Sequence, residues 1–122
     1  MDFLNFNWAD SNIESINIEY DIAVLKIWND VLQKRMIVKC SGFAGITNLC
    51  IWDDTIITST SLCSAKEDND EFVKTLYKAY DKHYDYCGRS LEKGLLELKI
   101  DLVNNTSFYI YCQNVEVQDE GQ

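Results

Sequence analysis

His83 and Cys87 stand four residues apart in a stretch of helical periodicity, which puts an imidazole and a thiol on one helix face. Such a pair is half of a zinc site, or a thiol with its base. Both chemistries need a third positioned group, and no neighbouring motif supplies one, so the pair reads as packing among helix tyrosines. Asp53 and Asp54 follow Trp52 at a predicted turn. Paired carboxylates beside an aromatic can serve a hydrolase as acid and base or hold a hard cation. Turns also favour Asp for local hydrogen bonding alone. His83 is the only histidine, which excludes an HExxH zinc motif and any three-histidine metal site. No GxSxG turn presents a serine, no glycine-rich loop cradles phosphate, and no DxDxDG series forms a calcium loop. The expectation is therefore a non-enzymatic protein with no cofactor and no bound metal.

The elements that carry these residues follow from hydropathy period. Ile16, Ile18 and Tyr20 alternate with polar residues, and Ile22 to Trp28 follows as the second arm of a hairpin. Gln33 to Cys40, Ile46 to Trp52 and Thr55 to Leu62 are three further strand candidates, separated by Asn, Asp, Ser and Gly. The period then changes. Asp68 and Glu71 have the spacing of a helix N-terminal cap, Phe72, Leu76 and His83 share a face, and Gly88 ends the helix. Leu96 to Leu102 alternates cleanly, Asn104 and Asn105 make a turn, and Ser107 to Val117 returns as the last strand. The expected fold is α+β, a mainly antiparallel curved sheet or partly closed barrel. Its elements run five strands, one amphipathic helix packed against the sheet, then two strands.

With 122 residues, 47% hydrophobic and 25% charged, residues 1–122 have the size and composition of a single globular domain. A disordered tail is expected over 118–122. The ten N-terminal residues hold two Asp and no Lys or Arg, unlike a secretory signal, and no window approaches the roughly 18 apolar residues of a membrane span. The five cysteines are scattered and form no CxxC pair, which suits reduced thiols in a cytoplasm.

The net charge is −9, and its distribution is uneven. Residues 1–30 carry six acids and one base, and residues 91–122 carry six acids and two bases. If the chain ends lie close, as domain termini often do, these become one acidic face that repels nucleic acid and anionic membrane and attracts a basic protein. Tyr109 and Tyr111 should point away from Phe108 and Ile110, outward or, if the sheet is covered on both sides, toward the helix, and Trp52 ends a strand beside Asp53 and Asp54. Accessible aromatics beside carboxylates are the residue types that anchor protein interfaces. Trp52, Asp53, Asp54, Tyr109 and Tyr111 are therefore the expected partner-binding residues.

In its size, acidity, sheet-plus-helix plan, Trp52-Asp53-Asp54 cluster and lack of catalytic motifs, the chain resembles the small acidic immunity proteins of bacterial toxin and immunity systems, including those of contact-dependent inhibition. The resemblance implies a cytoplasmic inhibitor that binds a cognate toxin, often a basic nuclease, and occludes its active site. It implies no direct contact with nucleic acid or membrane. The alternatives are a small-molecule-binding β-rich barrel and an enzyme using Cys87 and His83 or Asp53 and Asp54.

Overall fold

A computed structural model describes residues 3, 6–47, 55–65, 71–87 and 94–120, with helix side chains described through Ala79. Among these residues the alternating segments form β1 (Asn12–Glu19), β2 (Ile22–Asn29), β3 (Lys34–Ser41), β4 (Gly45–Thr47) and β5 (Ile57–Ala65). Then come α1 (Glu71–Cys87), β6 (Leu95–Leu102), β7 (Ser107–Cys112) and β8 (Asn114–Asp119). All pairings between strands are antiparallel, in two four-stranded sheets ordered β1-β2-β3-β8 and β4-β7-β6-β5. The fold is thus α+β and dominated by its sheets. No described helix is long and apolar enough to cross a membrane.

Two sheets replace the expected single one because two long strands turn a corner together. The run from Ser107 breaks at Gln113, so three strands rather than two follow the helix. Opposite it the chain bends at Gly42, whose φ of +63° suits glycine and where a Cβ would lie 2.6 Å from the Gln113 side chain. Pairing continues round the bend: the Gln113 N–H donates to Ser41 O at 2.9 Å and the Ala44 N–H to Tyr111 O at 2.8 Å. Strands that switch sheets through a bend are how two packed sheets build a corner. The far edges touch where Asn12 bridges Ile56, flanked by Ile13 N–H to Thr55 O and Ile57 N–H to Ser11 O.

The main core lies between the sheets. Leu25, Ile27, Met36 and Val38 from the first sheet meet Leu98, Ile100, Phe108 and Ile110 from the second, all essentially inaccessible. Each such side chain contributes roughly 1.5–3 kcal/mol through burial. Phe3 and Trp8, ahead of the first strand, belong to the same cluster. A smaller core sits on the other face of the second sheet, where Val73 and Leu76 of α1 pack against Ala65, Leu95 and Tyr111. The Tyr77 hydroxyl fastens the helix there, donating to Ala65 O at 2.8 Å and accepting from the Leu95 N–H at 3.1 Å.

Asn105 takes a left-handed φ of 67° and the Asn104 side chain accepts from the Thr106 N–H, so the expected turn between β6 and β7 is made by Asn chemistry. The C-terminal segment differs from expectation. Gln118 and Asp119 are strand residues of β8, and the Glu120 N–H donates to Arg35 O. Arg35 also pairs with Glu14 near the N-terminus and with Glu120 at 3.0 Å. The two acidic ends of the chain therefore meet on the first sheet, and Arg35 sits between their carboxylates. Asp119 is joined in the same region to Lys34 at 2.6 Å.

Candidate functional site

Directly paired residues of an antiparallel sheet lie on the same face. The outward rows of the second sheet are Ala65–Leu95, then Cys63–Glu97–Tyr111–Gly45, then Ser61–Lys99–Tyr109–Thr47, then Ser59–Asp101–Ser107. Helix α1 covers the first row and the Tyr111 and Gly45 end of the second, leaving Cys63 exposed and Glu97 half-buried. Phe72 stands 5.5 Å from the Tyr111 ring, and a Cβ on Gly45 would lie 3.0 Å from Leu76. The remaining rows are half-buried or exposed, so the sheet offers an open polar half beside the helix.

That open half is held in one arrangement by cross-strand hydrogen bonds. Glu97 accepts from the Tyr111 hydroxyl at 2.8 Å and from the Cys63 thiol at 3.4 Å. Burial, and then the Glu97 carboxylate, push the Cys63 thiol up. Since the thiolate is the nucleophile, Cys63 is held here as a hydrogen-bond donor. Asp101 accepts from Ser107 and from Ser59, the latter at 2.6 Å, and lies 3.7 Å from Lys99. The Lys99 ammonium is 6.0 Å from the centre of the Tyr109 ring. Chemically this is a recognition surface: one aromatic face, two oriented carboxylates, an ammonium and several hydroxyls.

The hydrogen bonds from Ser107 and Ser59 hold the Asp101 carboxyl below its ordinary value, and the hydrogen bond from Arg35 does the same for Glu14. A carboxyl with a depressed folded-state pKa stabilises the fold above its unfolded value, and that stabilisation is lost as pH falls through the folded value. The urea midpoint should accordingly be flat near neutrality and drop below about pH 4. In the double variant Asp101→Asn, Glu14→Gln the acid slope should be shallower and the neutral midpoint lower. Denaturation curves from pH 2.5 to 7 check both.

The expected contact residues are placed unequally. Tyr109 is half-buried on the open half of the sheet. Tyr111 is only 2% exposed, because the second sheet is covered on both faces where α1 crosses it; the expectation that both tyrosines are accessible is corrected for Tyr111. A continuous run, Phe108 to Cys112, carries the signal for this, since strands buried on both faces lose their polar alternation. Trp52, Asp53 and Asp54 lie outside the described residues. Their segment leaves the sheet at Thr47, opposite Tyr109, and returns at Thr55, whose hydroxyl donates to Asn12 Oδ1 at 2.7 Å. His83 and Cys87 fall in the last turns of α1, and their side chains, like the Asp68 cap and Gly88, lie outside the described part. Among the described residues no three His, Cys, Asp or Glu side chains are grouped to hold a metal ion.

The Glu97 and Asp101 networks are not legible in the sequence. Glu97, Lys99 and Asp101 are recognisable as the polar face of a strand, but their partners come from strands 34 and 42 residues away in the cases of Cys63 and Ser59. A second concavity, of about 270 Å³, separates residues 6–9 from Thr58–Thr60. It is small for a ligand pocket, for which about 300 Å³ is the usual lower bound. Comparison with family models and with curated proteins finds no match to this chain.

Proposed function

We propose that the protein is an immunity-type inhibitor that binds a basic toxin, of the nuclease kind, and occludes its active site in the cytoplasm. The binding surface is the open half of the second sheet, with Tyr109 as the aromatic anchor and Glu97 and Asp101 as oriented carboxylates. Trp52, Asp53 and Asp54 are its further contact residues, on the strength of their sequence alone. Tyr111 acts from beneath, holding Glu97 in place. The single observation that carries this reading is the half-buried Tyr109 on a hydrogen-bonded, carboxylate-bearing sheet face in a chain of net charge −9. Carboxylates speed encounter with a cationic partner, and a desolvated aromatic slows its departure.

The enzyme alternative rests on Cys87 and His83 or on Asp53 and Asp54, whose side chains lie outside the described residues. The small-molecule alternative meets a core in which Phe3, Trp8 and Phe108 fill the space between the sheets. A partly closed barrel, joined by the corner at Gly42 and the bridge at Asn12, serves here as a rigid platform for the outer face.

The test is surface plasmon resonance against the protein encoded beside this one. The association rate should fall as salt rises from about 50 to 500 mM, because the Debye length shrinks from roughly 14 to 4 Å. Tyr109→Ala should raise the dissociation rate about tenfold, equivalent to about 1.4 kcal/mol. A salt-independent association rate, together with undiminished binding by Asp53→Lys, Asp54→Lys and by Tyr109→Ala, rules the surface out.

A further inference from the structure

Edge strands carry unpaired N–H and C=O groups, and proteins usually guard them with charged side chains or keep them short. Of the edges of the two sheets, β1 carries Glu14 and Glu19, β8 carries Glu116 and Asp119, and β4 is three residues long. β5 is different. It is nine residues long and, like the whole run from Thr55 to Ala65, has no charged residue and no proline. Its first residue is paired by the chain itself: the Ile57 N–H donates to Ser11 O and Ile57 O accepts from the Asp10 N–H, both at 2.8 Å. There the added strand stops. Asp10 takes a left-handed φ of 64°, and the concavity of about 270 Å³ opens between residues 6–9 and Thr58–Thr60.

The free groups of β5 follow from alternation along the ladder. The Leu102 N–H donates to Thr106 O just before β7, so Leu102, Ile100 and Leu98 turn toward β7, while Asp101, Lys99 and Glu97 turn toward β5. Ser61 and Cys63, opposite Lys99 and Glu97, therefore bond β6, and Thr60, Leu62 and Ser64 point their N–H and C=O groups outward. None of these three has an outer partner among the described residues.

We infer that β5 pairs antiparallel with the β5 of a second copy of this chain, about a two-fold axis at Leu62, joining the two second sheets edge to edge. This register uses all three outward residues. Leu62 lies opposite the partner's Leu62, and Thr60 opposite the partner's Ser64, a hydroxyl pair of the kind that stabilises sheets. On the outer face Ser61 lies opposite the partner's Cys63, which puts Lys99 in one row with the partner's Glu97, and the reverse. Centring on Ser61 instead would align Lys99 with the partner's Lys99 and Glu97 with the partner's Asp101, and would set Ser64 against the partner's Thr58, the residue that the β5–β6 register skips. Charge and hydrogen bonding select the same register. The end of the partner's strand enters the concavity beside Thr58–Thr60. The contact is isologous, so it closes as a dimer. It leaves the Tyr109 surface open on both copies and does not depend on the toxin reading.

The experiment is sedimentation velocity on the full chain from about 10 to 500 µM, a range suited to a contact built on one strand pair. A reversible dimer should appear as concentration rises, and the amides of Thr60, Leu62 and Ser64 should gain protection from hydrogen exchange. Ser64→Pro removes an outward N–H that the monomer does not use, so it should weaken dimerisation about tenfold or more at an unchanged circular dichroism spectrum. Mixing reads the register. The double variant Ser61→Cys, Cys63→Ser and the wild-type chain should form a disulfide-linked mixed dimer under copper-catalysed air oxidation, through positions 61 and 63, and neither chain alone should link through those positions. Chymotryptic cleavage at Trp52 separates that link from Cys50. A chain still monomeric at the highest concentration overturns the proposal, as does a dimer whose protected amides or crosslink lie elsewhere. Protection of the same amides only on adding the toxin would make a foreign strand the occupant and overturns it equally. If Ser64→Pro does not fold, hydrogen exchange and the mixed crosslink decide.

Discussion

Trp8→Ala should lower the unfolding free energy by about 3–5 kcal/mol, the usual cost of truncating a buried large aromatic. Trp8 is 2% exposed although it precedes every strand. Its ring stacks on Phe3 at 5.1 Å between centroids and meets Phe6 at 5.4 Å, and its indole N–H donates to Phe3 O at 2.9 Å. The segment is tied down beyond it, where the Asp10 N–H donates to Ile57 O at 2.8 Å and the Ser11 N–H to Trp8 O at 3.1 Å. Removing the indole leaves a cavity and releases Phe3, which has no strand to hold it. Equilibrium urea unfolding measures the loss. Trp28→Ala is the contrast: Trp28 is half-buried on the outer side of the first sheet, and its N–H reaches Asp30 at 3.2 Å, so its truncation should cost clearly less. A Trp8→Ala loss under about 1 kcal/mol, small against the range for buried aromatics, would show that the N-terminal segment is not part of the core.

Tyr111 separates packing from recognition. Tyr111→Ala should cost about 3–5 kcal/mol, because the ring fills the space between the second sheet and α1 beside Phe72. Tyr111→Phe should cost only about 1 kcal/mol, since the ring stays and one hydrogen bond to Glu97 is lost. Tyr109→Ala, on the open rows of the same strand, should change stability less than Tyr111→Ala and partner dissociation more. Unfolding curves and binding kinetics on the three variants test this together. Equal stability losses at 109 and 111 would mean that the helix does not divide the face as described.

The period of the sequence is sufficient for much of this protein. Alternation over Ile22 to Trp28 and Leu96 to Leu102 specifies strands with one apolar face, and the change of period after Glu71 specifies the helix, because each pattern can bury its apolar residues in only one backbone geometry. The turn at Asn104 and Asn105 is equally local, written in side chains that bond their own backbone. Composition excludes histidine-rich metal sites and phosphate loops without reference to any fold.

Tertiary structure alone decides which strands are neighbours, and with them the site. Whether Glu97 faces Cys63 and Tyr111, and whether Asp101 gathers Ser59 and Ser107, are matters of register between distant segments. No local preference encodes that register; it emerges when both sheets bury their apolar faces at once. The same holds for the two chain ends. Their acidity is plain in the sequence, yet only folding brings Glu14 and Glu120 to Arg35, where attraction to one guanidinium offsets the repulsion between them. Tyr109 and Tyr111 differ in sequence by two positions and in exposure by the path of one helix, which crosses one row of the sheet and leaves the next open.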